Sequence, residues 1–322
     1  MLVAMRNTVQ TTLTIVLAAL LALGMGCRPR PPKDAAPGQR QHVVGVSLGK
    51  LTEPRRAALA AEIEAAAKEH GELTLLAIAA AEDAAAQAAQ IDALISARAD
   101  LLIVCPQESQ LLTEPVARAM QVGIPVIVVD RPVIGDQYTC FLQADNVKIG
   151  RAAGAWLARR LGEKRMIVEL KGAVPSLLSA QRHEGFRDAL RDPSFRVIDE
   201  VDVDGQAAKA QKEMAAILSR FKQIDAVFAH TDAAARGAYD AAVAVGRHEG
   251  ILFVGIDGLP AEGQAYVAAG ILEASFEHPT GGKQAVETAA RIFRGEKPPK
   301  QIELPARVFT RDNLARGGDA AR

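Results

Sequence analysis

Apolar and polar residues alternate in blocks along most of the chain. Four short runs, VVGVSL (43–48), LTLLAIA (73–79), LLIVC (101–105) and IPVIVVD (124–130), are almost continuously apolar. Four more follow at similar spacing: RMIVEL (165–170), FRVIDEV (195–201), DAVFA (225–229) and ILFVGID (251–257). Runs of this length and character predict strands covered on both faces, as in a parallel sheet. Between them, 55–70, 83–98, 109–121, 146–161, 178–191, 206–221, 233–246 and 280–294 carry helical periodicity. Gly71 follows the first helix, and Gly123-Ile124-Pro125 follows the third, as helix stops do. The alanine-rich stretch AAAEDAAAQAAQ (79–90) reads as strong helix propensity on a solvated face. The expected fold class is α/β, with two successive doubly wound parallel-sheet units, roughly 43–145 and 146–257, and a shared tail.

Composition adds two constraints. A formal net charge of zero argues against a nucleic-acid partner. The length of 322 residues suffices for about two domains. The first 27 residues stand apart: Arg6, then an apolar run LTIVLAALLALGMGC ending at Cys27. A basic start, a short apolar centre and small closing residues predict a signal peptide. The ending Leu23-Gly24-Met25-Gly26-Cys27 resembles a bacterial lipobox, which implies lipidation of Cys27, although Gly24 stands where a leucine is favoured. The Pro-rich, polar stretch RPRPPKDAAPGQRQ that follows predicts a flexible linker over 28–41. Cys105 and Cys140 remain, and the sequence leaves open whether they pair or stay as two buried thiols.

Ligands of open parallel sheets bind beyond the carboxyl ends of the strands. Those ends carry unusual charge. The first strand runs into Glu53-Pro54-Arg55-Arg56, and the fourth ends in Asp130-Arg131. Later come Arg182 near a helix start, His230-Thr231-Asp232, Asp257-Gly258 and Glu277-His278. Each has a plainer reading: Asp130-Arg131 as a surface turn, Arg55, Arg56 and Arg182 as solvated helix charges, Thr231 and Asp232 as a helix cap, Asp257 as a turn aspartate.

VVGVSL…EP, IPVIVVDRP, ADNVKIGRAAG, RHEGF, AVFAHTD, FVGIDGLP and FEHPTGGKQAVETA, in this order and spacing, resemble the periplasmic sugar-binding protein family typified by ribose- and galactofuranose-binding proteins. These are the type I solute-binding proteins of ABC importers, and the resemblance covers nearly all of 43–310. It implies two lobes joined by a three-crossing hinge, closing on a ligand. It also implies the domain ranges: 1–27 signal peptide, 28–41 linker, 42–145 plus about 278–305 for the first lobe, and 146–277 plus about 306–322 for the second. By the family's motifs, Asp130, Arg131, Arg182 and Asp257 are ligand-binding residues. Asp232 keeps the family's acid, and Thr231 replaces its usual asparagine. Glu277 or His278 falls near its binding glutamine, and Glu277 is taken. Asp145-Asn146 match as a crossing and helix cap.

Two departures matter. The resemblance places one or two ring-stacking aromatics where Glu53-Pro54-Arg55-Arg56 stand here; some relatives, galactofuranose-type binders among them, also have an arginine at the place of Arg56, but Arg55 replaces an expected aromatic, and the loop VDVDGQ (201–206) lacks the second lobe's aromatic. Arginine stacks flat, but it also binds carboxylate or phosphate with a bidentate fork. An acidic or phosphorylated sugar is therefore expected rather than a plain pentose. The partners implied are a carbohydrate-like solute, ABC permease subunits and, through Cys27, a membrane; a monomer without cofactor is expected. The alternative is a ligand sensor for a kinase or chemoreceptor. A sugar-responsive repressor of related fold would need DNA-binding helices where the signal peptide lies.

The segment Gly45-Val46-Ser47-Leu48-Gly49 fits the G-x-S-x-G elbow of serine hydrolases. Ser47 lies inside an apolar strand run, however, and Pro54 delays the helix beyond a tight elbow. No HGGG-type loop, Walker loop or metal-ligand spacing accompanies it. No catalytic residue is expected.

Overall fold

The computed structural model describes residues 41–162, 165–173 and 176–322. The expected signal peptide over 1–27 with Cys27, and residues 28–40 of the expected linker, lie outside the described residues. Residues 41–322 form one compact unit containing two sheets.

The first sheet uses β1 (His42–Leu48), β2 (Leu73–Ala80), β3 (Leu101–Val104), β4 (Val126–Val129), β5 (Cys140–Ala144) and, from the tail, β11 (Gln301–Leu304). Their spatial order is β11-β5-β4-β3-β1-β2, and every pairing is parallel. The second sheet holds β6 (Met166–Lys171), β7 (Arg196–Asp202), β8 (Ala226–Ala229), β9 (Leu252–Asp257), β10 (Ala274–Glu277), β12 (Arg307–Thr310) and β13 (Asp319–Ala320), in the order β13-β12-β10-β9-β8-β6-β7. Its first five strands in sequence are parallel, whereas β12 and β13 join antiparallel at one edge. Each sheet thus repeats one doubly wound order, β2-β1-β3-β4-β5 and β7-β6-β8-β9-β10. The chain reverses direction of winding at β1/β3 and at β6/β8, where ligands of such sheets collect.

The strands are those the apolar runs predict because both faces are covered. All four residues of β3, β4 and β8 are buried. The first lobe's covering helices are α1 (Pro54–Glu69), α2 (Ala84–Ser96), α3 (Ser109–Gln121) and α9 (Gly282–Phe293). On α1 the buried positions Arg56, Leu59, Ala60, Ile63 and Ala66 follow one helical stripe. That stripe packs with Ala285, Val286 and Ala289 of α9 in one core cluster. Glu62 of α1 ties down the start of α9, accepting from Thr280 Oγ1 and, at 3.1 Å, from the Gly282 N–H.

The second lobe is covered by α4 (Asn146–Leu161), α5 (Leu177–Ala189), α6 (Ala207–Arg220), α7 (Asp232–Ala244) and the short α8 (Ala265–Ala268). α4 and α5 cross closely because glycine sits at the contact. A Cβ on Gly150 would lie 2.1 Å from the Arg182 carbonyl oxygen, and one on Gly185 2.0 Å from that of Val147. The chain passes between the sheets three times, from β5 into α4, from β10 into α9, and from β11 into β12.

Cys105 and Cys140 are both buried free thiols, which answers the pairing question. Burial pushes the Cys105 thiol up to about 12, with Asp130 adding to the shift. Among the described residues no helix is long and apolar enough to cross a membrane.

Candidate functional site

The carboxyl ends of the two sheets face one cavity of about 210 Å³. Glu53, Arg55, Arg56, Asp130 and Arg131 line it from the first lobe, and Arg182, Thr231 and Asp257 from the second. Local folding explains each position. Pro54 opens α1, so Arg55 and Arg56 occupy its first turn at the end of β1. Thr231 caps α7, its hydroxyl accepting from the Ala234 N–H at 3.1 Å and donating to the Gly205 carbonyl at 2.8 Å.

Asp130 and Asp257 stand on backbone that side chains rarely adopt, with φ of 69° and 143°. Asp204, another cavity residue, has φ of 52°. Only one further non-glycine among the described residues, Arg98, shares positive φ. Strained backbone concentrated in one cavity is the mark of a functional site.

The arginines are held before any ligand arrives. Arg55 donates through Nη1 to the His278 carbonyl and, at 3.4 Å, through Nη2 to Asp130 Oδ1. Arg56 is buried; its Nε donates to Glu53 Oε2 at 2.9 Å, and its Nη1 reaches the Cys105 carbonyl at 3.5 Å. Arg131 donates to the Gln107 carbonyl at 2.6 Å. Arg182 donates through Nε to Asn146 Oδ1 at 2.9 Å and through Nη1 to the His230 carbonyl. Burial pulls the pKa of Arg182 down, and Asp257 opposes that shift. Burial raises the pKa of Asp257 in turn, against Arg55 and Arg182.

Counting ion pairs decides the charge left for a ligand. Glu53 is paired with Arg56, Asp130 with Arg55, and Asp204 with Lys209. Arg131 and Arg182 bond only neutral acceptors, and neither forms an ion pair among the described residues. Two guanidinium groups therefore face one buried carboxylate, Asp257.

Two candidates do not reach the cavity lining. Asp232 is fully buried behind it, accepting from the Gly258 N–H and from Ser275 Oγ, each at 2.8 Å. It fixes the Asp257-Gly258 turn. Glu277 ends β10 beside Asp257 and is only half turned inward, where burial raises its pKa against Arg307. His278 takes the cavity position instead.

His230, noted at a strand end but not taken as a site residue, and Ser179 and Asp204, which sequence reasoning did not single out, all line the cavity. His230 is buried and kept neutral by burial. Its Nδ1 accepts from the Gly172 N–H at 3.2 Å and lies 3.1 Å from Ser179 Oγ, while Nε2 lies 3.0 Å from Glu169 Oε1. Glu169 is itself fully buried and contacts His183 Nδ1 at 3.0 Å. No spacing in the sequence announces this network, because its members sit on β6, α5 and the end of β8. Ser47, the elbow serine, is buried within β1 with its Oγ 3.4 Å from Gln90 Oε1.

Among the described residues no phenylalanine, tyrosine or tryptophan lines the cavity. Planar guanidinium groups of Arg55, Arg56, Arg131 and Arg182 line it.

Two doubly wound lobes, three crossings and a polar cavity at both switch points define a two-lobed solute-binding protein. Residues 44–297 match the model of the periplasmic binding protein domain family. The chain is 30% identical over 312 residues to the ribose import binding protein RbsB of Bacillus subtilis, covering 95% of this chain and 99% of that one. It is 32% identical over 199 residues to RbsB of Escherichia coli, covering 61% and 67% of the two chains. Among solved structures, the fructose-binding periplasmic domain of hybrid two-component system BT1754 superposes with a TM-score of 0.75 at 34% identity, covering 86% of this chain and 93% of that one. A periplasmic ribose ABC transporter protein of Conexibacter woesei shares the fold, with a TM-score of 0.79 at 21% identity, covering 88% and 96%. The chain belongs to the periplasmic sugar-binding protein family, the type I solute-binding proteins of ABC transporters. That family binds solutes rather than transforming them, and membership implies a periplasmic location.

Proposed function

We propose that this protein captures an acidic or phosphorylated sugar between its lobes and delivers it to an ABC permease, while anchored to the membrane through Cys27. The observation that carries the ligand class is the charge left over in the cavity. Arg131 and Arg182 lack a carboxylate partner among the described residues, and no aromatic ring offers a platform for an apolar sugar face. Charge-assisted, bidentate bonds to a carboxylate or phosphate suit such a site. The site residues proposed are Glu53, Arg55, Arg56, Asp130, Arg131, Arg182, Thr231 and Asp257, with Asp232 acting from behind.

The test is a thermal-shift series on the mature chain with D-ribose, D-fructose, D-glucuronate and D-ribose 5-phosphate. A ligand that binds only the folded state raises Tm by mass action. Larger shifts for the two anionic compounds are expected. Equal or larger shifts for ribose or fructose would remove the anionic reading, and no shift with any of the four would remove the sugar reading. The anchor is tested separately: a Cys27→Ser variant should move from the membrane fraction to the soluble fraction.

A sensing role is the second reading, favoured by the 34% identity to the periplasmic domain of a hybrid two-component system. Uptake of labelled ligand by cells lacking the gene separates the two. Lost uptake supports transport, and unchanged uptake supports sensing.

A further inference from the structure

Glu169 sits fully buried in β6, a strand otherwise apolar from Met166 to Leu170. A carboxylate in such a place is costly unless it is paired. Burial opposes its charge, yet bonds with His183 and His230 hold its pKa below the ordinary carboxylate range. Glu200 of β7 stands directly across from it in the strand register. Like charges facing each other across two strands repel. α5 lies over the same face and brings His183, whose Nδ1 is 3.0 Å from Glu169 Oε2. Among the described residues, Glu169, His183 and Glu200 are the one group of three such side chains whose donor atoms all lie within 4.8 Å of one another. They come from β6, α5 and β7, so no spacing in the sequence announces them.

The surroundings suit a bound cation. His230 Nε2 lies 3.0 Å from Glu169 Oε1 and fixes the carboxylate from behind, which leaves Oε2 for the His183 side. Outer partners of this kind orient the ligands of metal sites. Two donors held about 2.1 Å from one ion lie about 3.0–3.4 Å apart, and His183 Nδ1 and Glu169 Oε2 meet that spacing. Two cationic side chains approach the cluster, and both stop at Glu200. Arg187 Nη1 is 3.1 Å from its Oε1, and Lys171 Nζ, at 3.9 Å from its Oε2, is closer to Asp202 at 3.5 Å. Neither forms an ion pair with Glu169 among the described residues. A cavity of about 540 Å³ brings solvent to His183. Lys171, Leu177 and Asp202 also line it, and none of these four lines the solute cavity.

We propose that Glu169, His183 and Glu200 bind a divalent transition-metal ion of the zinc type, at a site separate from the solute cavity. His183 Nδ1 and Glu169 Oε2 are the inner ligands, Glu200 supplies the third, and water takes the fourth position, an arrangement common for zinc. An imidazole beside carboxylates selects this class over magnesium or calcium, which take oxygen ligands. The proton shared between His183 Nδ1 and Glu169 passes to solvent as the ion enters, so two positive charges replace one beside the facing carboxylates. Glu169 ties the site to the solute cavity, because its Oε1 meets His230, whose carbonyl anchors Arg182. An ion here braces the wall from which Arg182 reaches into the cavity, whichever solute fills it.

Zinc binding to the sugar-free mature chain is the test, with Cys27→Ser in place so that its thiol does not compete. Calorimetric titration with zinc chloride should show one ion per chain, and zinc should raise Tm; magnesium chloride should do neither. His183→Ala and Glu200→Gln should each lower zinc affinity about tenfold or more. Glu200→Gln changes the shape of an exposed side chain little, so it decides the matter if His183→Ala fails to fold. His70→Ala removes another imidazole–carboxylate pair, His70 with Glu72 at 3.3 Å, and should leave zinc affinity unchanged. Absence of zinc binding, zinc affinity unaltered in both site variants, a loss in His70→Ala instead, or equal affinity for magnesium would each overturn the proposal. No sugar enters these titrations, so their failure is distinct from failure of the thermal-shift series on solutes.

Discussion

Arg182 Nε donates to the side-chain oxygen of Asn146 at 2.9 Å, so the first residue of α4 positions the proposed ligand arginine in the second turn of α5. The second anchor is the His230 carbonyl. Together they hold a buried guanidinium with its remaining N–H groups free for the cavity. Arg182→Lys keeps the charge but loses the fork, and it leaves Asn146 Oδ1 and the His230 carbonyl short of a donor. A loss of about 1–3 kcal/mol in stability, with a tenfold or greater loss in ligand affinity, is expected. Asn146→Ala should weaken ligand binding less, because Arg182 keeps its bond to His230. Chemical denaturation and calorimetric titration of both variants check the ranking. Equal affinity losses in the two would show that Asn146 contacts the ligand itself.

Gly150 gives the same pair its room. An added Cβ there would press on the Arg182 backbone carbonyl at 2.1 Å, an atom that has no soft way to retreat. Gly150→Ala should therefore push α5 away from α4, at a cost of about 1–3 kcal/mol. Ligand affinity should fall as well, since Arg182 rides on the displaced turn. The control is Gly71→Ala, where an added Cβ meets nothing within 4 Å. Thermal denaturation of the two variants should separate them clearly.

The strands and helices of both lobes were legible because the central strands of the parallel sheets, β3, β4 and β8 among them, are buried on two faces and read as apolar runs. The runs at 101–105 and 225–229, for example, became β3 and β8 within a residue. The tail was not legible in the same way. β11 (QIEL) and β12 (RVFT) lie at or near sheet edges, half solvated, and their mixed composition gives no comparable signal. β5 (CFLQA) is buried at four of its five positions but too short to stand out beside the longer runs. In the site, charged residues at strand ends pointed to the cleft because solvated loops seldom collect so many. The histidines were harder to place. His230 and His278 matter through burial and partner geometry, and neither property is written in their immediate neighbours.

Asp232 and Asp257 are buried carboxylates that interact, and burial with the charge of Asp257 raises the Asp232 pKa to about 8. A carboxylate whose folded pKa lies above its unfolded value binds more protons in the folded state between those two values. Its stabilising contribution is complete below the unfolded pKa, near 3.8, and is lost as pH rises through about 8. Asp232→Asn should remove that part of the pH dependence. The asparagine oxygen still accepts from the Gly258 N–H, and its NH₂ donates to Ser275 Oγ. The slope of stability against pH between about 5 and 9 should therefore be shallower in Asp232→Asn than in the unaltered chain. An unchanged slope would mean that Asp232 is ionised throughout. Asp232→Ala should instead cost about 1–3 kcal/mol at every pH, because it strands both donors.

Arg55 stands at the first turn of α1, where the family resemblance implies an aromatic ring, and it spends two of its donors on the His278 carbonyl and Asp130. Arg55→Phe removes a positive charge and restores a stacking face. It also releases Asp130, which then adds an unpaired carboxylate to a cavity that holds Asp257. Both changes disfavour an anionic ligand and favour a neutral sugar whose apolar face can rest on the ring. Affinity for D-glucuronate or D-ribose 5-phosphate should fall about tenfold to a hundredfold, the scale of one lost charge-assisted hydrogen bond. Binding of D-ribose or D-fructose should improve relative to the unaltered chain. Titration calorimetry with the four compounds measures that change in ranking. If the anionic compounds keep their lead in Arg55→Phe, then Arg131 and Arg182 select the ligand's charge without help from Arg55.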